Sequence, residues 1–509
     1  MASAKRQIAM GAGLRLTLRM VNMIIAIVLT PYILHSLGDA VYGIWTLVGS
    51  FMAFYGLLDM GISMATNRYI TVAISAEEQG GEGEAVQRVF SSSLALFWAA
   101  AGAVMLCTVI GMWPAALLVD EPAHVDKLRY VMLVMGMKLA LSCPLKVYAG
   151  ILESKLRLDL MGIPPIVGAF LRAGAVVVAL ETGWGVVGVA VATAFGVLPV
   201  GLAHLVMAHR VVPGLKFRWG HVRGGTLKEL LGYGRKSVML GVGNKMRTDF
   251  DAIVIASFLT TVVVAHYRIA AFFAQQLCYV AVATIGALQP YFSRLVGQQN
   301  DARQTEVLLT STRLSVYLVS FMSVAMIVMG EPFIVRWVGP EYTVAYPVMV
   351  VLLVGYLLEL SHLPASPYLC ARASHGMIAW RSVIDSSVNI LLSIVLVRHY
   401  GMMGVALGTS IPLTVSAVVV YPWMVHRASG IAYSRYYGEL LKAYLISGVA
   451  LAGPVVIGLR YAEPSYLNLV TLGVVWVVLF VPVVCLLEGR GRLVRRWQRS
   501  RTAAAITEP

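Results

Sequence analysis

The stretch VGNKMRTDFDAIVIASFL, residues 242–259, decides how this chain is interpreted. Its second half, from Ala252 onward, is apolar enough for a lipid bilayer, whereas its first half carries two basic and two acidic residues. An ionisable group at bilayer depth costs roughly 2.5–3.5 kcal/mol, so it normally faces a bundle interior or a wet cavity. What surrounds the stretch therefore determines whether it is a membrane helix.

The composition of the chain is that of a polytopic membrane protein. Of 509 residues, 59% are apolar and 13% are charged, and the mean hydropathy is +0.78; a soluble domain carries about 25% charged residues. The net charge of +15 does not indicate nucleic-acid binding, because the basic residues lie between long apolar runs rather than along one exposed face.

The five cysteines fall inside apolar runs and form neither a CxxC pair nor a cluster with histidine. Metal and redox sites use such spacings, so we expect no metal site and no cofactor.

A membrane helix needs about 20 apolar residues, and the chain offers fourteen such segments. They are residues 16–35, 41–62, 89–111, 128–149, 161–180, 185–207, 237–259, 263–287, 308–330, 344–370, 377–397, 402–425, 441–460 and 467–487. The connections are short, and the longest, at about 208–236, is too small for a folded domain.

The distribution of Lys and Arg predicts that both termini are cytoplasmic. With the N-terminus inside, thirty of the forty basic residues fall in inside segments and five in outside loops. Cytoplasmic loops of membrane proteins carry this excess of positive charge. We therefore expect a multi-pass membrane protein with both termini on the cytoplasmic side.

An internal repeat indicates two related halves. GWGVVGVAVAT at 183–193 and HYGMMGVALGT at 399–409 share the pattern G-x-x-G-V-A-x-x-T. The alternative is chance similarity between spans rich in glycine, alanine and valine. Because both halves begin inside, the repeat would be parallel, as in transporters whose lobes move around a central site.

The sequence thus predicts an all-α polytopic fold with about 14 transmembrane helices. Two parallel six-helix lobes would surround a central cavity, and two C-terminal helices would be peripheral. The predicted segments are an N-terminal lobe at 1–208, a basic cytoplasmic linker at 209–236, a C-terminal lobe at 237–426, two further helices at 427–488 and a basic tail at 489–509.

The charges of the opening stretch have two interpretations. Lys245 with Asp249, and Arg247 with Asp251, stand at i,i+4 and can pair along one helix. They are either structural ion pairs that fix this helix to its neighbours or a polar wall of the cavity, which Asn244 would widen. Four charges within seven residues favour the cavity wall.

Other ionisable or polar residues also lie deep within predicted spans. The candidate substrate-binding cations are Lys138, Arg172, Lys245, Arg247 and Arg268. The candidate polar or coupling residues are Asp59, Asn244, Asp249, Asp251, Glu359, Asp385 and Asn389. Because the first lobe sets two cations against one acid, the distribution favours an anionic substrate.

The segment TPYILHSLGDAVYGIWTLVGSFMAFYGLLDMGISMATNRYI, residues 30–70, resembles the opening of the polysaccharide-lipid flippases of O-antigen type. These belong to the multidrug/oligosaccharidyl-lipid/polysaccharide exporter superfamily. The pattern D-x-I-V-I-A-x-F-L at 251–259, followed by Tyr267, resembles the same family's seventh-to-eighth helix region.

The resemblance implies a flippase rather than an enzyme. Relatives carry undecaprenyl-diphosphate-linked oligosaccharides from the cytoplasmic to the outer leaflet of the bacterial inner membrane by alternating access. The implied partners are this lipid-linked glycan, the bilayer, a coupling ion (proton or sodium), and a polysaccharide polymerase with its export machinery. Cavity cations would bind the diphosphate and sugar, and the deep acids would exchange the coupling ion.

Two other functions remain open. A multidrug exporter of the same superfamily would have a cavity dominated by acids and aromatic residues, and binding of cationic dyes would identify it. A membrane enzyme that polymerises or transfers sugars usually needs a large outer loop with catalytic side chains; the outer loop 112–127 holds Asp120, Glu121, His124 and Asp126 but is short.

Overall fold

The computed structural model describes residues 2–79, 84–285, 288–372 and 374–505. Within these ranges, the side chains of residues 2–6, 8–9, 12, 78, 236–248, 285, 375 and 490–505 lie outside the description. The described part of the chain is built from helices and contains no strand, which confirms the all-α prediction.

Seventeen α-helices follow one another along the described chain. They are α1 (Ala2–Leu37), α2 (Asp39–Tyr55), α3 (Leu57–Glu78), α4 (Ala85–Ala116), α5 (Pro122–Ser154), α6 (Leu158–Glu181), α7 (Gly185–Val211), α8 (Gly224–Phe258), α9 (Thr261–Ile285), α10 (Leu288–Gly297), α11 (Asp301–Trp337), α12 (Ala345–Ser361), α13 (Ala365–Ala371), α14 (His375–Val415), α15 (Tyr421–Ser429), α16 (Tyr433–Tyr461) and α17 (Tyr466–Ala505).

Eleven helical segments of the described chain are long and apolar enough to cross a membrane, or twelve when the bent pair α2–α3 counts as one span. The 54-residue segment Gly376–Ser429 reverses at Gly401 (φ 56°, ψ −138°), so it is long enough for two passes. Helix α8 has 35 residues, which is long enough to span a membrane, but it carries the four charges of residues 245–251. When Gly376–Ser429 is counted as two passes and α8 is added, the number of spans reaches the fourteen predicted.

The chain forms two compact units. The first consists of Met1–Arg268 with Ser382–Val405, and the second of Ile269–Arg381 with Ala406–Pro509. The apolar interior of the first unit lies between α3, α4 and α5, where Phe90, Phe97 and Ile151 are almost fully buried. The lobes predicted at 1–208 and 237–426 stay a prediction, because residues grouped by proximity in one conformation need not move as one body.

The second unit is organised around α11, against which α12, α16 and α17 pack. Its interior contains the fully or almost fully buried rings of Tyr368, Tyr436 and Trp476. Arg313 of α11 pairs with Glu439 of α16 at 2.6 Å and with Glu488 of α17 at 3.1 Å. One guanidinium therefore fixes both C-terminal helices to α11.

Glycines allow helices of the first unit to touch through their backbones. A Cβ on Gly43 of α2 would lie 1.8 Å from the carbonyl oxygen of Thr261, where α9 begins. A Cβ on Gly234 of α8 would lie 3.0 Å from the carbonyl oxygen of Gly61 of α3. Small residues at such crossings are typical of helix packing in membranes.

The repeated sequence pattern has a matching geometry in its two copies. Gly185 and Gly401, the first glycines of the pattern, both have φ of 56°. At the next glycines, a Cβ on Gly188 would meet Ala179, and a Cβ on Gly404 would meet the backbone of Leu396. In each copy a left-handed glycine reverses the chain, and the next one lets the new helix pack on the preceding one.

Candidate functional site

A bend in the second predicted span places Asp59 inside the first unit. Helices α2 and α3 meet at Gly56 with a bend of 42°, and Asp59 lies in the first turn of α3. A carboxylate is favourable there because the first amide groups of a helix carry a partial positive charge. The side chain of Asp59 is only 3% exposed.

Helix α5 supplies the cation that pairs with Asp59. The ammonium group of Lys146 donates a hydrogen bond to Asp59 Oδ2, and the thiol of Cys143, one turn earlier, lies 3.4 Å from the same oxygen. The side chain of Lys146 is 39% exposed, against 3% for Asp59. The acid is therefore fixed in the protein, whereas the cation can reach other groups.

The pair lies in the wall of a cavity of about 360 Å³. The cavity is formed by the bent span and α5, and its other walls are mostly apolar. Its lining residues are Met52, Ala53, Gly56, Leu57, Asp59, Met60, Ser63, Met64 and Lys146. Three flexible thioether side chains give this wall an adaptable shape.

Two further cations stand near Lys146 in the same unit. Lys138 lies two helical turns before Lys146 on α5, about 12 Å along the axis, and its charge interacts with those of Arg172 and Lys146. In the described part of the chain, no carboxylate pairs with Lys138 or Arg172. Among these three cations of the described chain, only Lys146 has a carboxylate partner, Asp59, so Lys138 and Arg172 contribute uncompensated positive charge.

Arg172 projects from α6 and is positioned by α1 and α7. Its Nη2 donates a hydrogen bond of 2.9 Å to Asn22 Oδ1 on α1. On α7, Gly196 permits close approach, since a Cβ there would lie 2.4 Å from the Cβ of Arg172. The glycine-rich helix α7 thus fixes the base of Arg172, and α1 fixes its guanidinium.

Helix α8 carries the four charges of residues 245–251. The structure describes the side chains of the two acids among them. Asp251 is buried and accepts a hydrogen bond of 2.5 Å from the hydroxyl of Tyr267 on α9. Asp249 is half-buried. The side chains of Asn244, Lys245 and Arg247 lie outside the described residues, so the two interpretations of their pairing remain predictions.

Arg268 of α9 and two candidate residues of α14 belong to the first unit. Arg268 is half-buried, and its charge interacts with the hydroxyl of Tyr42 on α2. Asp385 and Asn389 are both buried on α14, four residues apart. Asp385 and Asn389 are therefore enclosed by protein, and Arg268 is partly so.

Glu359 belongs to the second unit. It is buried on α12 and pairs with Arg381 at 3.2 Å. The guanidinium of Arg381 lies 4.4 Å from the centre of the Tyr421 ring, and His362 stacks on the same ring. These residues form a buried polar cluster in the second unit, the Glu359 cluster.

Sequence reasoning missed three residues of these sites: Asn22, Lys146 and Arg381. Lys146 and Arg381 lie near predicted inner ends of spans, where a basic residue is expected from topology alone. Asn22 carries no charge and so gave no indication. In the described part of the chain, no group of three or more His, Cys, Asp or Glu side chains could hold a metal ion. The arrangement in the first unit is suited to binding an anion.

Comparisons with known proteins identify the family of the chain. A family model described as "polysaccharide biosynthesis protein" matches residues 37–347. A curated protein of Haloferax volcanii, named a probable low-salt glycan biosynthesis flippase (Agl15), is 23% identical over 192 residues. That match covers 38% of this chain and 41% of the relative, so the chain spans less than half of the relative's length.

Two solved structures share the fold. An inward-facing multidrug resistance transporter of the MATE family, in the MOP superfamily, has a TM-score of 0.68 at 17% identity, covering 82% of this chain and 98% of its own. The lipid II flippase MurJ, in an inward closed conformation, has a TM-score of 0.70 at 13% identity, covering 94% and 99%.

Proposed function

We propose that this chain, which belongs to the polysaccharide biosynthesis protein family, is a flippase for a lipid-linked oligosaccharide. The family expected from residues 30–70 is thereby confirmed, and the fold is that of a polytopic transporter. The substrate we propose is an undecaprenyl-diphosphate-linked glycan, moved from the cytoplasmic to the outer leaflet of a bacterial inner membrane.

The observation that carries this proposal is the uncompensated charge of Lys138 and Arg172, in the same unit as the Lys146–Asp59 pair. A diphosphate headgroup is a dianion, and it cannot cross hydrocarbon without a polar path. Guanidinium and ammonium groups bind phosphate oxygens through charge-assisted hydrogen bonds. A cationic drug would instead be repelled by this cluster, which disfavours the multidrug exporter.

We further propose alternating access, with the lobes 1–208 and 237–426 as the moving parts and both termini in the cytoplasm. The similarity to MATE and MurJ folds supports this mechanism. The coupling ion would be a proton or sodium, exchanged at Asp249, Asp251, Glu359 or Asp385. Neutralising each acid in turn, then following headgroup transport against an imposed pH or sodium gradient, tests the coupling; unchanged gradient dependence in all four variants would refute it.

The decisive experiment measures flipping of a fluorescent diphosphate-linked saccharide lipid by the full chain in vesicles. Lys138→Gln and Arg172→Gln should each slow flipping by about tenfold or more, the value of one charge-assisted phosphate contact. The matched control is Lys127→Gln, which removes an exposed charge at the start of α5 and should flip at the wild-type rate.

Two results would contradict the proposal. Equal rates for Lys127→Gln, Lys138→Gln and Arg172→Gln would exclude a role for the cationic cluster. Transport of a cationic dye, with no flipping of the saccharide lipid, would identify the multidrug exporter instead.

A further inference from the structure

Asn22 of α1 has a fixed orientation. Its amide nitrogen donates a hydrogen bond of 2.8 Å to the carbonyl oxygen of Leu18, one turn earlier on the same helix. Because the NH₂ group is used within α1, the amide oxygen is the atom that faces away from the helix backbone. That oxygen accepts the 2.9 Å hydrogen bond from Arg172 Nη2.

The partner of Arg172 is therefore a neutral group. An amide oxygen orients a guanidinium but does not cancel its charge, whereas a carboxylate at the same place would form an ion pair. In the same unit, Asp59 and Lys146 form such an ion pair. Within the described part of the chain, the remaining N–H groups of Arg172 donate to no protein atom.

We propose that Asn22 is a positioning residue for the anionic headgroup of the substrate. It holds the guanidinium of Arg172 in a single orientation and leaves its charge and its other donors for a diphosphate. Lys138, which interacts with Arg172, adds a second uncompensated charge on the neighbouring helix. This inference rests on the proposed function, since it assumes an anionic headgroup.

The chemistry distinguishes Asn22 from a residue that merely packs. Asn22→Asp is isosteric and keeps the hydrogen-bond acceptor, so a packing role would survive it. If Asn22 positions Arg172 for an anion, the new carboxylate pairs with the guanidinium and repels the diphosphate. Binding should then be lost in a protein that is at least as stable as the wild type.

The experiment measures binding to the full chain in lipid nanodiscs by calorimetry, with two probes. One is geranyl diphosphoryl glucose, a soluble analogue of a lipid-linked sugar, and the other is inorganic pyrophosphate. Asn22→Asp should weaken binding of both probes by about tenfold or more, with an unchanged or higher melting temperature. Asn300→Asp is the control, because Asn300 caps α11 and aspartate caps a helix equally well.

Asn22→Ala gives a second measure without adding a charge. It should weaken binding of both probes several-fold, and in the Arg172→Met background it should cause no further loss, since Asn22 acts through Arg172. The wild type should bind the geranyl compound more tightly than pyrophosphate; tighter binding of free pyrophosphate would overturn the assignment to a lipid headgroup.

Wild-type affinity in Asn22→Asp, together with weakened binding in Arg172→Met, would overturn the role of Asn22 and leave the proposed function standing. Wild-type affinity in Arg172→Met itself would overturn both. If neither probe bound to the wild type, there would be no anion site, and this inference would be overturned as well.

Discussion

Gly185 and Gly401, 216 residues apart, both have a positive φ of 56°. Each opens one copy of the G-x-x-G pattern and reverses the chain between two helices. Chance similarity of apolar spans would not require a positive φ at the same place in both copies. The local geometry therefore supports a duplication as the origin of the repeat.

Gly401→Ala should lower the free energy of unfolding by about 1–2 kcal/mol, because an L-residue is strained at positive φ. Nothing lies within 4 Å of a Cβ built at Gly401, so the cost is in the backbone alone. The control is Gly174→Ala on α6, which has equally open space and should gain about 0.5–1 kcal/mol. Thermal unfolding in detergent compares the two; equal effects would show that φ at Gly401 is unimportant.

Lys146→Met should destabilise the first unit because it leaves the buried carboxylate of Asp59 without its cation. We expect a loss of about 2 kcal/mol, less than the roughly 3–5 kcal/mol of a fully buried pair, since Lys146 is 39% exposed. Adding Asp59→Asn to Lys146→Met should recover stability, because the double variant has no unpaired charge. Chemical unfolding of the single and double variants checks this, and additive losses would contradict it.

Gly43→Ala should separate the start of α9 from α2. The new methyl group would lie 1.8 Å from the carbonyl oxygen of Thr261, so one of the two backbones must move, at about 1–3 kcal/mol. Gly49→Ala on the same helix has open space around its Cβ and is the matched control. Melting temperatures of the two variants should differ by several degrees, with Gly43→Ala lower.

Asp120 in the loop before α5 acts as a cap for a helix distant in sequence. Its Oδ2 accepts a hydrogen bond of 3.0 Å from the backbone N–H of Thr261, at the first residue of α9. Asp120→Ala should cost about 1 kcal/mol, whereas Asp120→Asn, which keeps an acceptor, should cost a few tenths. Hydrogen exchange at the first turn of α9 measures the loss of the cap, and unchanged exchange in Asp120→Ala would exclude capping.

The Glu359 cluster predicts a difference between two changes of Arg381. Arg381→Met leaves Glu359 buried without its ion pair and should cost about 3 kcal/mol. Arg381→Lys keeps the charge but loses the flat contact with the Tyr421 ring, 4.4 Å away, and should cost about 1 kcal/mol. Equal unfolding free energies for the two variants would show that the ion pair contributes little.

Much of the fold follows from local sequence. Apolar runs locate the spans, and the gaps between predicted spans at 181–184 and 398–401 locate the chain reversals near Gly185 and Gly401, because both depend on residues close in sequence. The bend at Gly56 was not foreseen: the sequence segment 41–62 contains it within one apolar run, and only the packing of the two helix halves reveals it.

The sites were less predictable because their contacts are non-local. Charges at depth identified Asp59, Lys138 and Arg172, since burying them is costly. The partner of Asp59 is 87 residues away on α5, and the partner of Arg172 is 150 residues away on α1 and neutral. Neither distance in sequence nor residue type marks such partners.

The charged centre of α8 has a consequence for how the protein is made. A helix with four charges within seven residues partitions poorly into lipid by itself. Its packing against α2 and α3, and the glycine contact between Gly234 and Gly61, show where it finds protein neighbours. During biosynthesis, we therefore expect α8 to leave the translocon only when it can pack on α2 and α3, which are synthesised long before it.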